Sequence, residues 1–159
     1  MSVPKRRTTE AATLRSSAQL WGPLLIGVVA ILFTFPAGMA LAIINWQRMG
    51  MVRKARRHLL ATVIGAYLFV LLIVLLPAFL PGSGITQIVF FAINVIAFFY
   101  LRREIDQDTD AYAYGGNEVH PANPLFGLAI GVVVLLTIIV IFIGTFFLLE
   151  ALGVLQAPA

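Results

Sequence analysis

The chain has 159 residues, of which 60% are apolar and only 11% charged, and its mean hydropathy is +0.97. A soluble domain carries about 45–50% apolar and about 25% charged residues, so a water-soluble globule is excluded. Eleven Lys and Arg against seven Asp and Glu leave a net charge of +4, and without cysteine there are no disulfides, thiolate metal sites or cysteine nucleophiles.

The first stretch, residues 1–19, is a basic tail with Lys5, Arg6, Arg7 and Arg15. An apolar segment follows from Leu20 to Trp46, with tryptophans near both ends that read as anchors at the membrane–water interface. In its middle stands Phe35-Pro36-Ala37-Gly38. Proline removes a helical hydrogen bond and clashes with the preceding turn, and a glycine two residues later readily allows a reversal. The segment is therefore either one long kinked helix or two short helices folded as a re-entrant hairpin. The basic start and Ala40-Leu41-Ala42 also have the layout of a cleaved leader, against which the length of the apolar run argues.

Three further segments are long enough to span a bilayer, which takes about 20 mostly apolar residues. They are Leu59 to Leu80, Ile85 to Leu101 and Leu125 to Leu149, and none contains a charge. Their length without polar alternation argues for helices over buried strands, and no ten-residue alternation of the outer-membrane barrel kind is present. Pro81-Gly82-Ser83-Gly84 joins the first two as a tight antiparallel turn. Residues 102–123 form the sizeable polar connection, irregular around Gly115-Gly116, Pro121 and Pro124.

Positive charge decides between the two readings of residues 20–46. Short cytoplasmic connections carry the Lys/Arg excess. If the segment crosses, the four cations of the tail face away from the seven at Arg48, Arg53, Lys54, Arg56, Arg57, Arg102 and Arg103. If it re-enters, all eleven share one side. The expected architecture is thus all-α, a single polytopic membrane domain over 1–159 with three spanning helices and a re-entrant hairpin. The N-terminus faces the cytoplasm. Irregular backbone at membrane depth must then be buried in protein or line a wet cavity.

Few residues can carry chemistry. Asp106, Asp108 and Asp110 alternate as calcium ligands do, but the glycine and glutamate of an EF-hand loop are replaced by Ala111 and Asn117. They remain weak metal candidates, and no metal or cofactor is expected. His58 and His120 lie outside the spans, which disfavours an intramembrane haem, and both read as surface residues. Asn94 stands near the centre of a span and reads as interhelical glue or a substrate contact. Asn45 and Gln47 read as caps for the end of the first segment. Gly127 and Gly131 form a GxxxG that permits close helix approach, with a partner inside or outside the chain. Arg53, Lys54, Arg56 and Arg57 sit where lipid headgroups would be, each worth about 1 kcal/mol against an anionic leaflet. The patch is too short and too close to the membrane for nucleic acid.

Phe35-Pro36-Ala37-Gly38, Leu41-Ala42, Asn45-Trp46 and Arg48-Met49-Gly50 together resemble a pattern in small uncharacterised bacterial multi-pass membrane proteins: a Pro-x-Gly break, an Asn-aromatic pair and a basic connection. The resemblance covers about 20 residues and implies a bacterial inner-membrane location without implying an activity or functional residues.

The expected function is non-catalytic. The chain would serve as an accessory or structural subunit, packed against other membrane chains or copies of itself. Two rivals stand beside it. One is a small channel or carrier lined by the Pro36–Gly38 break and Asn94. The other is a lipid-modifying enzyme with a metal held at Asp106–Asp110.

Overall fold

A computed structural model describes residues 17–79 and 84–154, with the side chains of 77–79 left aside. The cations Lys5, Arg6, Arg7 and Arg15 and most of the Pro81–Gly84 turn lie outside the described residues. The elements are β1 (Ser17–Leu20), α1 (Pro23–Leu32), α2 (Phe35–Arg48), α3 (Val52–Phe79), α4 (Ile85–Tyr114), β2 (Glu118–Pro121) and α5 (Pro124–Ala151). Three of them, α3, α4 and α5, are long and apolar enough to cross a membrane.

The segment from Leu20 to Trp46 is not one rod. It breaks at Phe33-Thr34, where Thr34 is fully extended, and the chain re-enters helix with Pro36 in the first turn. Proline is tolerated there because that turn's N–H groups have no helical partner anyway. The two helices then lie side by side. A Cβ placed on Gly38 would meet the Cβ of Ala30 at 2.6 Å and the carbonyl oxygen of Ile26 at 2.9 Å. At the far end of the pair the Asn45 side chain holds Trp21 from both sides. Its Oδ1 accepts from the Trp21 N–H at 3.1 Å, and its Nδ2 donates to the Trp21 carbonyl at 2.8 Å. The segment is a helical hairpin whose two ends meet. Asn45 is completely buried and joins those ends, where an end cap was expected.

This hairpin forms the core. Ile26, Val29, Ala30, Ala37, Leu41 and Ala42 are all fully buried. The outer helices instead expose large apolar side chains such as Val63, Ile88, Phe91, Ile96, Leu136 and Val140. Small residues permit the close packing. Gly27 lies under the ring of Phe98 on α4, and Gly127 and Gly131 on α5 lie under Trp21 and Phe33. The GxxxG thus serves an internal contact.

Two further expectations are corrected. Residues 102–123 are not a loop throughout, because α4 continues to Tyr114 and buries Leu101, Ile105 and Tyr112 at helical spacing. Residues 17–20 are strand, paired in parallel with β2 from Ser17↔Glu118 to Leu20↔Pro121.

The α2–α3 corner is closed by Gly50 at φ +76°, with Met51 N–H bonded to Trp46 O at 2.8 Å and Gly50 N–H to Gln47 O at 3.0 Å. This is the left-handed helix stop that glycine adopts without steric cost. It turns the chain directly from the hairpin into α3.

Candidate functional site

The hairpin base is where charge and polarity gather. Lys54, in the first turn of α3, donates to Glu104 at 2.7 Å and to Asp108 at 2.5 Å. The two carboxylates stand four residues apart on α4, on one helical face. Asp108 also accepts from Trp46 Nε1 at 2.6 Å, so one oxygen ties α2, α3 and α4 together. The Lys54 ammonium lies 4.9 Å from the Trp46 ring, and the His58 imidazole packs on the same ring at 4.5 Å. His58 is therefore half-buried packing rather than free surface. Trp46 makes no interfacial anchor either, because it is wholly enclosed.

A second set of contacts holds the other side of the base. Trp21 is 1% exposed and donates through Nε1 to the Asn123 carbonyl at 2.9 Å. The guanidinium of Arg48 lies 4.5 Å over the Trp21 ring and donates to the Gln19 carbonyl at 2.7 Å. Ala122 N–H bonds Leu20 O at 2.9 Å, extending the strand pair. All seven described Lys and Arg lie on α2, α3 or α4 at this one end of the bundle.

The hairpin tip lies against α4. Asn94 Oδ1 accepts from the Phe35 N–H at 2.7 Å and so satisfies a donor left free at the start of α2. Asn94 is 1% exposed, and its Nδ2 and the Thr34 hydroxyl have no partner among the described residues. From Asn94 to Asp108 is fourteen residues, or about 21 Å of helix, which is the depth of the hairpin along α4.

Asp106 and Asp110 are exposed while Asp108 turns inward, because on a helix residues two apart point to different sides. Among the described residues no cluster of three His, Cys, Asp or Glu could hold a metal. Lys54 is occupied by two carboxylates and is not a free headgroup ligand, whereas Arg53, Arg56 and Arg57 are exposed.

One cavity has no signature in the sequence. A groove of about 580 Å³ opens between α2, α3 and α5, with Pro36, Ile43, Ala66 and Ile138 in its wall. Its residues come from three separate helices, and no local motif marks them. No family model, curated protein or solved structure matches this chain.

Proposed function

We propose that this chain is a non-catalytic integral membrane protein of the bacterial inner membrane, an accessory or structural subunit of a larger complex or homo-oligomer. Its first apolar segment dips into the bilayer from the cytoplasmic side and returns. Helices of 10 and 14 residues, as α1 and α2 are, reach about 15 and 21 Å, short of the roughly 30 Å hydrocarbon core. Their joined ends lie beside every described cation, and that end fits the anionic cytoplasmic leaflet. The broken backbone at the tip is covered by Asn94, as irregular backbone at membrane depth requires.

The observation that carries the non-catalytic reading is how four polar side chains of the bundle are used. Asn45 and Asn94 bind hairpin backbone, and the hydroxyls of Thr62 and Thr137 bond their own helices at 2.6 and 2.9 Å. These four side chains serve architecture, while the Thr34 hydroxyl and the Asn94 Nδ2 stay unpaired among the described residues. The faces left over are hydrocarbon, suited to lipid and to other apolar helices. A solute path lined by Pro36–Gly38 and Asn94 has less support, since Gly38 is closed off by Ala30 and the Asn94 oxygen is engaged. A metal-dependent lipid enzyme is weaker still, since the three aspartates do not converge.

Purification in mild detergent followed by mass spectrometry of the intact assembly tests this reading. Other chains in fixed stoichiometry, or several copies of this one, are expected. A protein that stays monomeric and alone at every detergent concentration overturns it.

A further inference from the structure

The groove between α2, α3 and α5 is left unused by the hairpin architecture. Its wall is mostly hydrocarbon: Ala40 and Ile43 from α2, Val63 and Ala66 from α3, Val134 and Ile138 from α5. Three hydroxyls line it: those of Thr62 and Thr137 are turned to carbonyls of their own helices, and that of Tyr67 belongs to its inner end. Two alanines, Ala40 and Ala66, stand where larger side chains would fill the space. The groove's volume of about 580 Å³ falls within the range of about 300–1,000 Å³ typical of ligand sites.

Its two ends differ. At the basic end of the bundle it finishes at Gln47 and Leu59, and it runs inward along α3 to Tyr67, about 12 Å of helix. On α3 the series Arg56, Leu59, Val63, Ala66 follows helical spacing, so Arg56 continues the groove's own face by one turn beyond its mouth. Two of the nearby cations are committed, Arg48 to Gln19 and Trp21 and Lys54 to Glu104 and Asp108, whereas Arg53 and Arg57 are exposed like Arg56. Arg56 is exposed and has no ion pair or hydrogen bond among the described residues.

A hydrocarbon slot that opens beneath an uncommitted guanidinium matches one chemical species. We propose that the groove holds one acyl chain of an anionic phospholipid, with its phosphate at Arg56 and Gln47. A partner helix fits less well. Such a helix is about 10–12 Å across and packs over the full membrane height of about 30 Å, whereas the groove covers about 12 Å along α3 and about 16 Å along α2, from Pro36 to Gln47. An acyl chain entering from the headgroup level needs only depth. Guanidinium and phosphate form charge-assisted, often bidentate, hydrogen bonds. Arg53 and Arg57 beside Arg56 favour a lipid with net negative charge over a zwitterionic one.

The proposal rests on the bilayer reading, and the experiment separates the two. The full chain is reconstituted in nanodiscs of equal phosphatidylglycerol and phosphatidylcholine, and lipids retained after release are counted by native mass spectrometry. One phosphatidylglycerol per chain is expected to remain. Ala66→Phe, which fills the groove, is expected to lower its occupancy about ten-fold. Arg56→Gln should remove the preference for phosphatidylglycerol over phosphatidylcholine, and Leu136→Phe on an exposed face should change nothing. A phosphatidylglycerol with a photoreactive acyl chain, applied to the unaltered protein, covers the case in which Ala66→Phe does not fold. It should label residues 59–67 and 134–141 ahead of the exposed face at Ile88 and Phe91. Equal retention in Ala66→Phe, uniform labelling, or a second copy in place of the lipid overturns the proposal. A chain that does not insert into nanodiscs at all overturns the bilayer reading instead.

Discussion

Gly38 leaves no room for even one methyl group. Its added Cβ would sit 2.9 Å from the Ile26 carbonyl, a backbone atom that can yield only if α1 moves away from α2. Gly38→Ala should therefore destabilise the protein by about 1–3 kcal/mol, the usual cost of overpacking. Gly144→Ala is the control, because nothing lies within 4 Å of the added carbon, and no loss is expected there. Unfolding in mixed micelles, followed by the fluorescence of Trp21 and Trp46, reads both. The two buried asparagines make a second comparison. Asn94→Leu leaves one donor, the Phe35 N–H, unpaired and should cost about 1 kcal/mol. Asn45→Leu frees both the N–H and the carbonyl of Trp21 and should cost clearly more in the same assay. The importance of Pro36, Gly38 and Asn94 is legible in the sequence, because a helix breaker and a polar group are conspicuous in a hydrocarbon run. The work of Asn45 is not. Beside an aromatic at a segment's end it looks like a cap, and only the folded hairpin brings Trp21, 24 residues away, into its reach.

At the scale of elements, the hairpin is held at its tip by Asn94 and at its base by Lys54, Glu104 and Asp108. The side chains of Lys54 and Asp108 keep 27% and 18% of their exposure, so water still screens the pair. Isolated surface pairs contribute about 0–1 kcal/mol. Here one carboxylate serves both an ammonium and an indole N–H, and a coupling near the upper end of that range is expected. A double-mutant cycle of Lys54→Met with Asp108→Asn should return about 1 kcal/mol, falling as salt is raised. A coupling of zero would mean that packing around Trp46 alone fixes the base. Sequence reasoning stops α4 at Arg102 because charge ends the apolar run. Yet Leu101, Ile105 and Tyr112 keep a helical period across that boundary, and all three are buried. The hydrophobic criterion measures where lipid ends, not where the helix ends. The Lys54–Asp108 contact joins residues 54 positions apart, which no local pattern encodes.

For the whole molecule, the central issue is which connections share a side of the membrane. The hairpin brings β1, the α2–α3 corner, the C-terminal end of α4 and β2 to one end of the bundle, and α5 ends at the other. The natural absence of cysteine makes this open to direct test, because single cysteines can be introduced without background. Ser17→Cys, Arg53→Cys, Ala113→Cys and Leu152→Cys all lie at exposed positions. In intact cells a membrane-impermeant thiol reagent should modify Leu152→Cys and spare the other three. After lysis all four should react. The decisive position is Ser17. If residues 20–46 crossed the bilayer, Ser17 and Arg53 would lie on opposite sides, and Ser17→Cys would react in intact cells while Arg53→Cys stayed protected. A re-entrant hairpin requires them to behave alike, since the Asn45 clamp on Trp21 keeps both ends of the segment within a few residues of each other.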